Sequence, residues 1–307
     1  SYLLSITNAT VDGATIPLFE FVDNEYFVGL RIPSTGAVNV QPVVYVPIGD
    51  PSNGQYSQPV YSVQHMIDMI NTALRTAWNT IVHAPIAPWT TVPFFAYDPA
   101  TNLVSYYADP IWQKGGASEV RITLNVRLYY FFNNFYNFYN RFNVNGEFEC
   151  YTVDYLTNAI TLGGTAYLQM SQDFPTLYAW NEFVGINFYT NQVGIRPEFA
   201  QPPNTSPDQL VSNTFAGGAP LQQNLLLQLT ASYDSTRPEG IRGYNYKDPT
   251  EPDRYIELRK QLITAVDIRI TLQTRDGIER NYILPPHQTV SLRFMFSSKK
   301  SLVHTLT

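Results

Sequence analysis

The stretch that decides the fold is 264–296, TAVDIRITLQTRDGIERNYILPPHQTVSLRFMF. Val266, Ile268, Ile270 and Leu272 alternate with Asp267, Arg269 and Thr271, the period-2 pattern of a strand with one buried face. Asp276-Gly277 is a hairpin-turn pair, after which the chain returns through Tyr282-Ile283-Leu284. It turns again at Pro285-Pro286 and runs on with Val290, Leu292, Phe294 and Phe296 on one side. The reading is a three-stranded antiparallel meander.

Working outward, 119–130 (EVRITLNVRLYY) alternates in the same way, with Val120, Ile122, Leu124, Val126 and Leu128 inward. Glu119, Arg121, Thr123, Asn125 and Arg127 take the other face. Shorter strand signals fall at 14–22, 26–32, 43–48, 92–97, 102–107, 147–154, 160–169, 183–195 and 224–232. The pair 92–97 and 102–107 brackets Asp98-Pro99-Ala100-Thr101 as a second hairpin. One amphipathic helix is expected over about 62–83, N-capped by Ser62. Its apolar positions are Val63, Met66, Ile67, Ile70, Leu74, Ala77, Trp78 and Ile81, and Pro85 ends it. Long loops are expected at 47–60, 197–220 and 236–254. The fold class is all-β, an antiparallel sandwich, with 1–154 and 220–307 forming the sandwich and 155–219 an insertion or extended loops.

Composition narrows the function. The 307 residues carry only 14% charged side chains but 14% aromatic ones, and the net charge is −6. Residues 1–113 hold two basic side chains, Arg31 and Arg75, against eight acidic ones. A chain with so acidic a first third does not coat nucleic acid with its whole surface, and only the basic C-terminal region could contact phosphates. A single cysteine, Cys150, excludes an internal disulfide framework and a cysteine-based zinc site. No apolar run is long enough for a membrane helix, and no charged-then-apolar leader is read at the start.

Catalytic chemistry is not visible, and neither a cofactor nor a metal site is expected. His65, His83, His287 and His304 have no partners at metal-protease spacing, and there is no nucleophile elbow or phosphate-binding glycine loop. Glu147 and Glu149 share a strand face around Phe148, the one pair that a hydrolase reading could use. Alternating glutamates on a solvent face are ordinary, so the expectation is that the protein is not an enzyme. Asp248, Glu251 and Asp253 read as a solvated acidic turn.

Two features point to assembly instead. In 128–142 (LYYFFNNFYNFYNRF), nine of the fourteen residues from Tyr129 are aromatic, and Phe131, Phe135, Phe138 and Tyr139 follow a near-helical spacing. Either they form an aromatic core plug or they present a surface to a neighbouring subunit. Arg269, Arg280 and Arg293 belong to the terminal meander, with Arg275, Lys299 and Lys300 beside them. They form either a solvated face or a patch that meets the acidic surface of a like subunit.

The order of features resembles a known family. Tyr61-Ser62-Val63 leads into a helix with Met69-Ile70-Asn71-Thr72-Ala73-Leu74, followed by Pro93-Phe94-Phe95-Ala96-Tyr97-Asp98-Pro99. A strand then ends in Leu124-Asn125-Val126-Arg127-Leu128, and the closing segment holds Asp276-Gly277. This order is similar to that of the jelly-roll capsid proteins of virophages and related polinton-like DNA viruses, and the length fits their penton or minor capsid protein. The resemblance implies a jelly-roll sandwich located in the virion. It also implies five copies closing a ring at the icosahedral vertex, with the major capsid protein as neighbour. The competing expectation is a receptor- or carbohydrate-binding sandwich such as a spike or lectin, with Trp89, Trp112 or Trp180 exposed to stack on sugars.

Overall fold

The structure is a computed structural model that describes residues 2–11, 16–47, 58–82, 91–116, 118–140, 150–153, 158–190, 204–205, 224–230, 232–233, 242–247, 256–258, 266–282 and 289–298. In chain order these hold β1 (Tyr2–Val11), β2 (Phe19–Glu20), β3 (Phe27–Arg31), β4 (Val38–Pro42) and β5 (Pro59–Val60). Helix α1 (Val63–Val82) follows, then β6 (Phe94–Asp98), β7 (Leu103–Ala108), a 3-10 turn at Pro110–Trp112 and β8 (Arg121–Asn125). Next come α2 (Val126–Phe131), β9 (Asn137–Asn140), β10 (Cys150–Val153), β11 (Asn158–Leu162) and β12 (Thr165–Ser171). Short α3 (Leu177–Trp180) leads to β13 (Phe183–Thr190), β14 (Asn204–Thr205), β15 (Asn224–Thr230) and β16 (Ser232–Tyr233). The last strands are β17 (Arg242–Lys247), β18 (Ile256–Glu257), β19 (Arg269–Thr274), β20 (Ile278–Asn281) and β21 (Val290–Ser298).

The chain forms two compact units, one from 1–16, 182–236 and 241–307, the other from 17–181 with 237–240. Neither break falls at 154/155 or 219/220. Strands β11 and β12 pair through β7 within the second unit, whereas β13 and β15 belong to the first.

The first unit packs two antiparallel-dominated sheets on one core. One runs β16-β17-β1-β18 with β21 also on β1, and the other runs β14-β20-β19-β13-β15. Leu4, Ile6, Ala9 and Val11 of β1 share that core with Phe183, Ile186 and Phe188 of β13, Leu226, Leu227 and Leu229 of β15, and Leu272 of β19. The expected three-stranded meander is corrected here. Strands β19 and β20 form the Asp276-Gly277 hairpin, with Gly277 at φ +85°, but β21 joins the other sheet. It pairs with β1 from Tyr2↔Ser298 to Val11↔Val290, which sets Leu292 and Phe294 against the core beside Ile6 and Ala9. That long ladder, with an N-terminal strand absent from the sequence reading, outweighs a short pairing to β20. Strand β17 likewise lies inside the expected 236–254 loop.

The second unit holds the sheets β4-β3-β8-β10-β9 and β11-β12-β7-β6, the small β2–β5 pair, and α1. The helix starts as expected, with Ser62 Oγ accepting the His65 N–H at 3.2 Å, and buries Met66, Ile67, Ile70, Leu74, Ala77 and Ile81. Its face meets Val28, Leu30, Phe95 and Tyr106 in one core. The β6–β7 hairpin is also as expected. Asp98 carboxylate oxygens accept from Ala100 N–H (3.0 Å) and Thr101 Oγ1 (2.7 Å), bonds that hold the carboxyl below its usual range.

Three local expectations change. The alternation of 119–130 ends at Asn125, because its side chain caps α2 by accepting from Leu128 N–H at 3.1 Å. The expected strand 160–169 is two strands, β11 and β12, folded at Gly163 (φ +56°) and Gly164 (φ +84°), a backbone that suits a tight hairpin. The strand read at 43–48 is displaced to β4.

Candidate functional site

Of the six rings described in the aromatic stretch, three lie in the core. Phe131 and Phe135 are buried, with Leu128 and Phe132, and ring contacts join Phe131 to Phe19 (5.0 Å) and Trp180 (4.6 Å) and Phe132 to Phe95 (5.1 Å). The docking-surface reading of Phe131 and Phe135 is therefore corrected: these rings pack inside the chain's own second unit. Phe138 and Tyr139 lie on β9, paired with Thr152 and Tyr151 of β10. Among the described rings, Tyr130 and Tyr136 face solvent, the latter 67% exposed.

A polar network fixes this packing. Asn125 Oδ1 accepts from Phe27 N–H and Leu128 N–H, both at 3.1 Å, and its Nδ2 donates to Glu25 carbonyl at 2.7 Å. Thr176 Oγ1 donates to Phe131 carbonyl at 2.7 Å and accepts from Gln172 Nε2 and Trp180 Nε1. Gln172 Oε1 in turn accepts from Val104 N–H at 2.9 Å. Trp112 and Trp180 are buried, so neither offers a ring to a sugar, which removes two of the three tryptophans that a lectin reading needs. Trp89 lies outside the described residues, as do Glu147, Glu149, His83, His287, His304 and the acidic turn at 248–253.

The three arginines do not form one patch. Arg269 on β19 donates through Nε to Asn281 Oδ1 at 2.9 Å. Arg280 stands opposite Leu272, on the core side of the sheet, where it pairs with Glu182 at 3.0 Å and lies 6.0 Å from the Phe183 ring centroid. Arg293 is exposed on β21, in the other sheet. Arg269 and Arg280 lie on opposite faces of one sheet, and Arg293 stands in the other sheet.

On the sheet face that carries Arg269 lies a buried polar cluster, one member of which, Thr271, was expected on the solvent side of its strand. The Glu279 carboxylate accepts from Asn187 Nδ2 (2.7 Å), Tyr189 hydroxyl (2.6 Å) and Thr271 Oγ1 (3.0 Å). Burial, then the hydrogen bond to Glu279 and its charge, push the Tyr189 phenol up. Among the described residues no group of three or more His, Cys, Asp or Glu could hold a metal ion, and no described helix is long and apolar enough to cross a membrane.

An uncharged aromatic surface lies elsewhere. In the sheet β11-β12-β7-β6, Phe95, Val104, Tyr106, Leu168 and Met170 face the core. The opposite face carries no charge across its centre: Phe94 stacks on Tyr107 (4.8 Å), and the Tyr167 ring meets both edge-on. Beside them Gln169 Nε2 donates to Tyr107 hydroxyl (3.2 Å) and Ser171 Oγ (3.0 Å). Charge is unevenly divided as well. The second unit has 7 basic and 13 acidic side chains and the first has 12 of each, so the net −6 resides in the second unit. The acidic residues of the first third, Asp12 excepted, fall in the second unit, and every basic residue after 240 falls in the first.

A family model for the Sputnik minor capsid protein V18/19 matches residues 4–298. The chain belongs to this family. No curated protein sequence matches it. Among solved structures it is similar to the mavirus penton protein, at 16% identity and a TM-score of 0.61, covering 96% of this chain and 88% of that one. It is also similar to a chain of the Sputnik virophage, at 19% identity and a TM-score of 0.65, covering 98% and 89%. At such identities the likeness carries the fold, and the virophage capsid jelly roll expected from the sequence is the observed class. As a member of this family the chain is a structural protein of the virion capsid, not an enzyme.

Proposed function

We propose that the chain is a penton subunit, five copies of which close a ring at the icosahedral vertex beside the major capsid protein. The observation that carries this reading is a fold likeness to a penton protein over 96% of the chain, with no unmatched domain left over. The physics of the surface supports it. A ring needs heterologous contacts between two different patches of one chain, and low charge with exposed aromatic and aliphatic side chains suits a protein covered by neighbours. Any nucleic-acid contact belongs to the basic residues of 237–307, because the second unit would repel phosphate.

Light scattering after size exclusion, followed by electron microscopy, tests the reading. Five-membered rings, and shells that acquire vertices when the major capsid protein is supplied, are expected. A chain that stays monomeric and never joins a shell overturns it.

A further inference from the structure

We propose, building on the penton reading, that edge strand β11 of one copy adds to edge strand β4 of the next, extending a sheet from subunit to subunit. The sheet β11-β12-β7-β6 has two edges. The β6 edge is already occupied, since the Asn71 side chain bonds both backbone groups of Phe95. Strand β11 pairs with β12 alone among the described residues. From 158 to 167 only Ile160 and Tyr167 are half-buried and every other residue is exposed, so both faces of this hairpin meet water. A two-stranded hairpin in that state is marginal until something covers it.

Native edges are normally blunted by charge, proline or a bulge. This one has none of them: no Asp, Glu, Lys, Arg or Pro stands between Asp154 and Asp173, and the β11–β12 register is unbroken. At β4, an edge of the other sheet of this unit, no charged residue stands between Arg31 and Asp50, and the one proline, Pro42, is the last residue of the strand, which leaves 38–41 free to pair. Its five residues are all half-exposed, and Val44 (63%) and Val46 (52%) follow it into solvent, a match for the five residues of β11 and its Ile160 and Leu162.

A second copy is the occupant because of where the charge lies. Two units that each carry −6 repel, so copies can meet closely only through uncharged elements, and β4 and β11 are two such edges. Strand addition supplies affinity through the backbone, without needing opposite charge. Because the edges differ, the contact is head-to-tail and repeats around a closed ring, whereas β11 against β11 would stop at a two-fold dimer.

The test compares wild type with the double variant Ala159→Lys/Thr161→Lys, both positions being exposed. The variant is expected to keep the wild-type far-ultraviolet circular dichroism, which reports an intact fold, and to elute as a monomer. Hydrogen exchange at 38–41 and 158–162 should be at least about tenfold slower in assembled wild type than in that monomer. Rings formed by the variant, protection of only one of the two strands, or two-fold dimers of wild type overturn the pairing and leave the penton reading standing. A wild-type chain that forms no ring of any size overturns the penton reading itself, and the pairing with it.

Discussion

The side chain of Asn71 on α1 is hydrogen-bonded to both backbone groups of Phe95 on β6: Nδ2 donates to the carbonyl at 2.8 Å, and Oδ1 accepts the N–H at 2.7 Å. One amide thus does for the β6 edge what a further strand would do, and it locks the helix to the sheet at a point where the Phe95 ring is buried. Leaving both groups unpartnered would cost about 1–3 kcal/mol each where water cannot replace the bond. Asn71→Ala is therefore expected to lose a few kcal/mol in urea unfolding. Asn71→Asp, which can still accept from the N–H but no longer donate to the carbonyl, should fall between.

Asn125 is the second such residue, and its substitution should exceed an ordinary helix cap. Losing a cap costs about 1 kcal/mol, but here the same side chain also binds Phe27 N–H and Glu25 carbonyl. Asn125→Ala is expected to destabilise by clearly more than that cap value, measured by denaturant midpoint at unchanged slope. A loss confined to the cap value would mean that water takes over the two cross-chain bonds.

Buried and exposed rings of the aromatic stretch should respond oppositely. Phe131→Ala empties a site lined by Phe19, Tyr26 and Trp180, and is expected to cost about 3–5 kcal/mol. Tyr136→Ala, at 67% exposed, should stay within about 0.5 kcal/mol of wild type. Thermal unfolding of the two variants side by side decides this, and equal losses would contradict the burial pattern.

Acid should weaken the second unit through Glu119. Burial alone would raise its carboxyl, but hydrogen bonds from Arg121 and Gly115 N–H, with the charges of Arg121 and Lys114, outweigh it and hold the group below the usual range. A depressed carboxylate contributes stability above its unfolded value, and that stability is lost as pH falls through the lower folded value. Glu119→Gln should therefore be less stable than wild type at neutral pH and converge with it in acid, as followed by melting temperature against pH.

Alkali should act through Tyr45. Its hydroxyl donates to Pro59 carbonyl at 3.0 Å, and burial, then the charges of Tyr61 and Glu20, push its phenol up to about 12. A phenol raised in the folded state gives stability that is complete below its unfolded value near 10 and lost as pH rises toward 12. Tyr45→Phe should remove that part of the alkaline loss. Ultraviolet titration should show the corresponding ionisation delayed until unfolding.

Local chemistry made much of this fold legible. Ser62 and the apolar spacing to Ile81 set α1, Asp98 set one hairpin and Asp276-Gly277 another, because caps, amphipathic period and turn residues act over a few positions. The order of these features already resembled the capsid family to which the chain proved to belong. Less legible were the places where one residue serves two elements, such as Asn125, which alternates as a strand residue yet ends the strand by capping α2.

By itself, then, the sequence determined an aromatic, sparsely charged antiparallel β protein with one long helix and no visible catalytic centre. The tertiary structure alone decided which strands are neighbours. Period-2 alternation says that a strand has a buried face but does not name its partner, and β21 found β1 at the far end of the chain instead of β20 beside it. That one pairing separates Arg293 from Arg269 and Arg280. It also moves attention from a basic patch to two uncharged edges, because long-range pairing energy, absent from any local window, fixes what the surface presents.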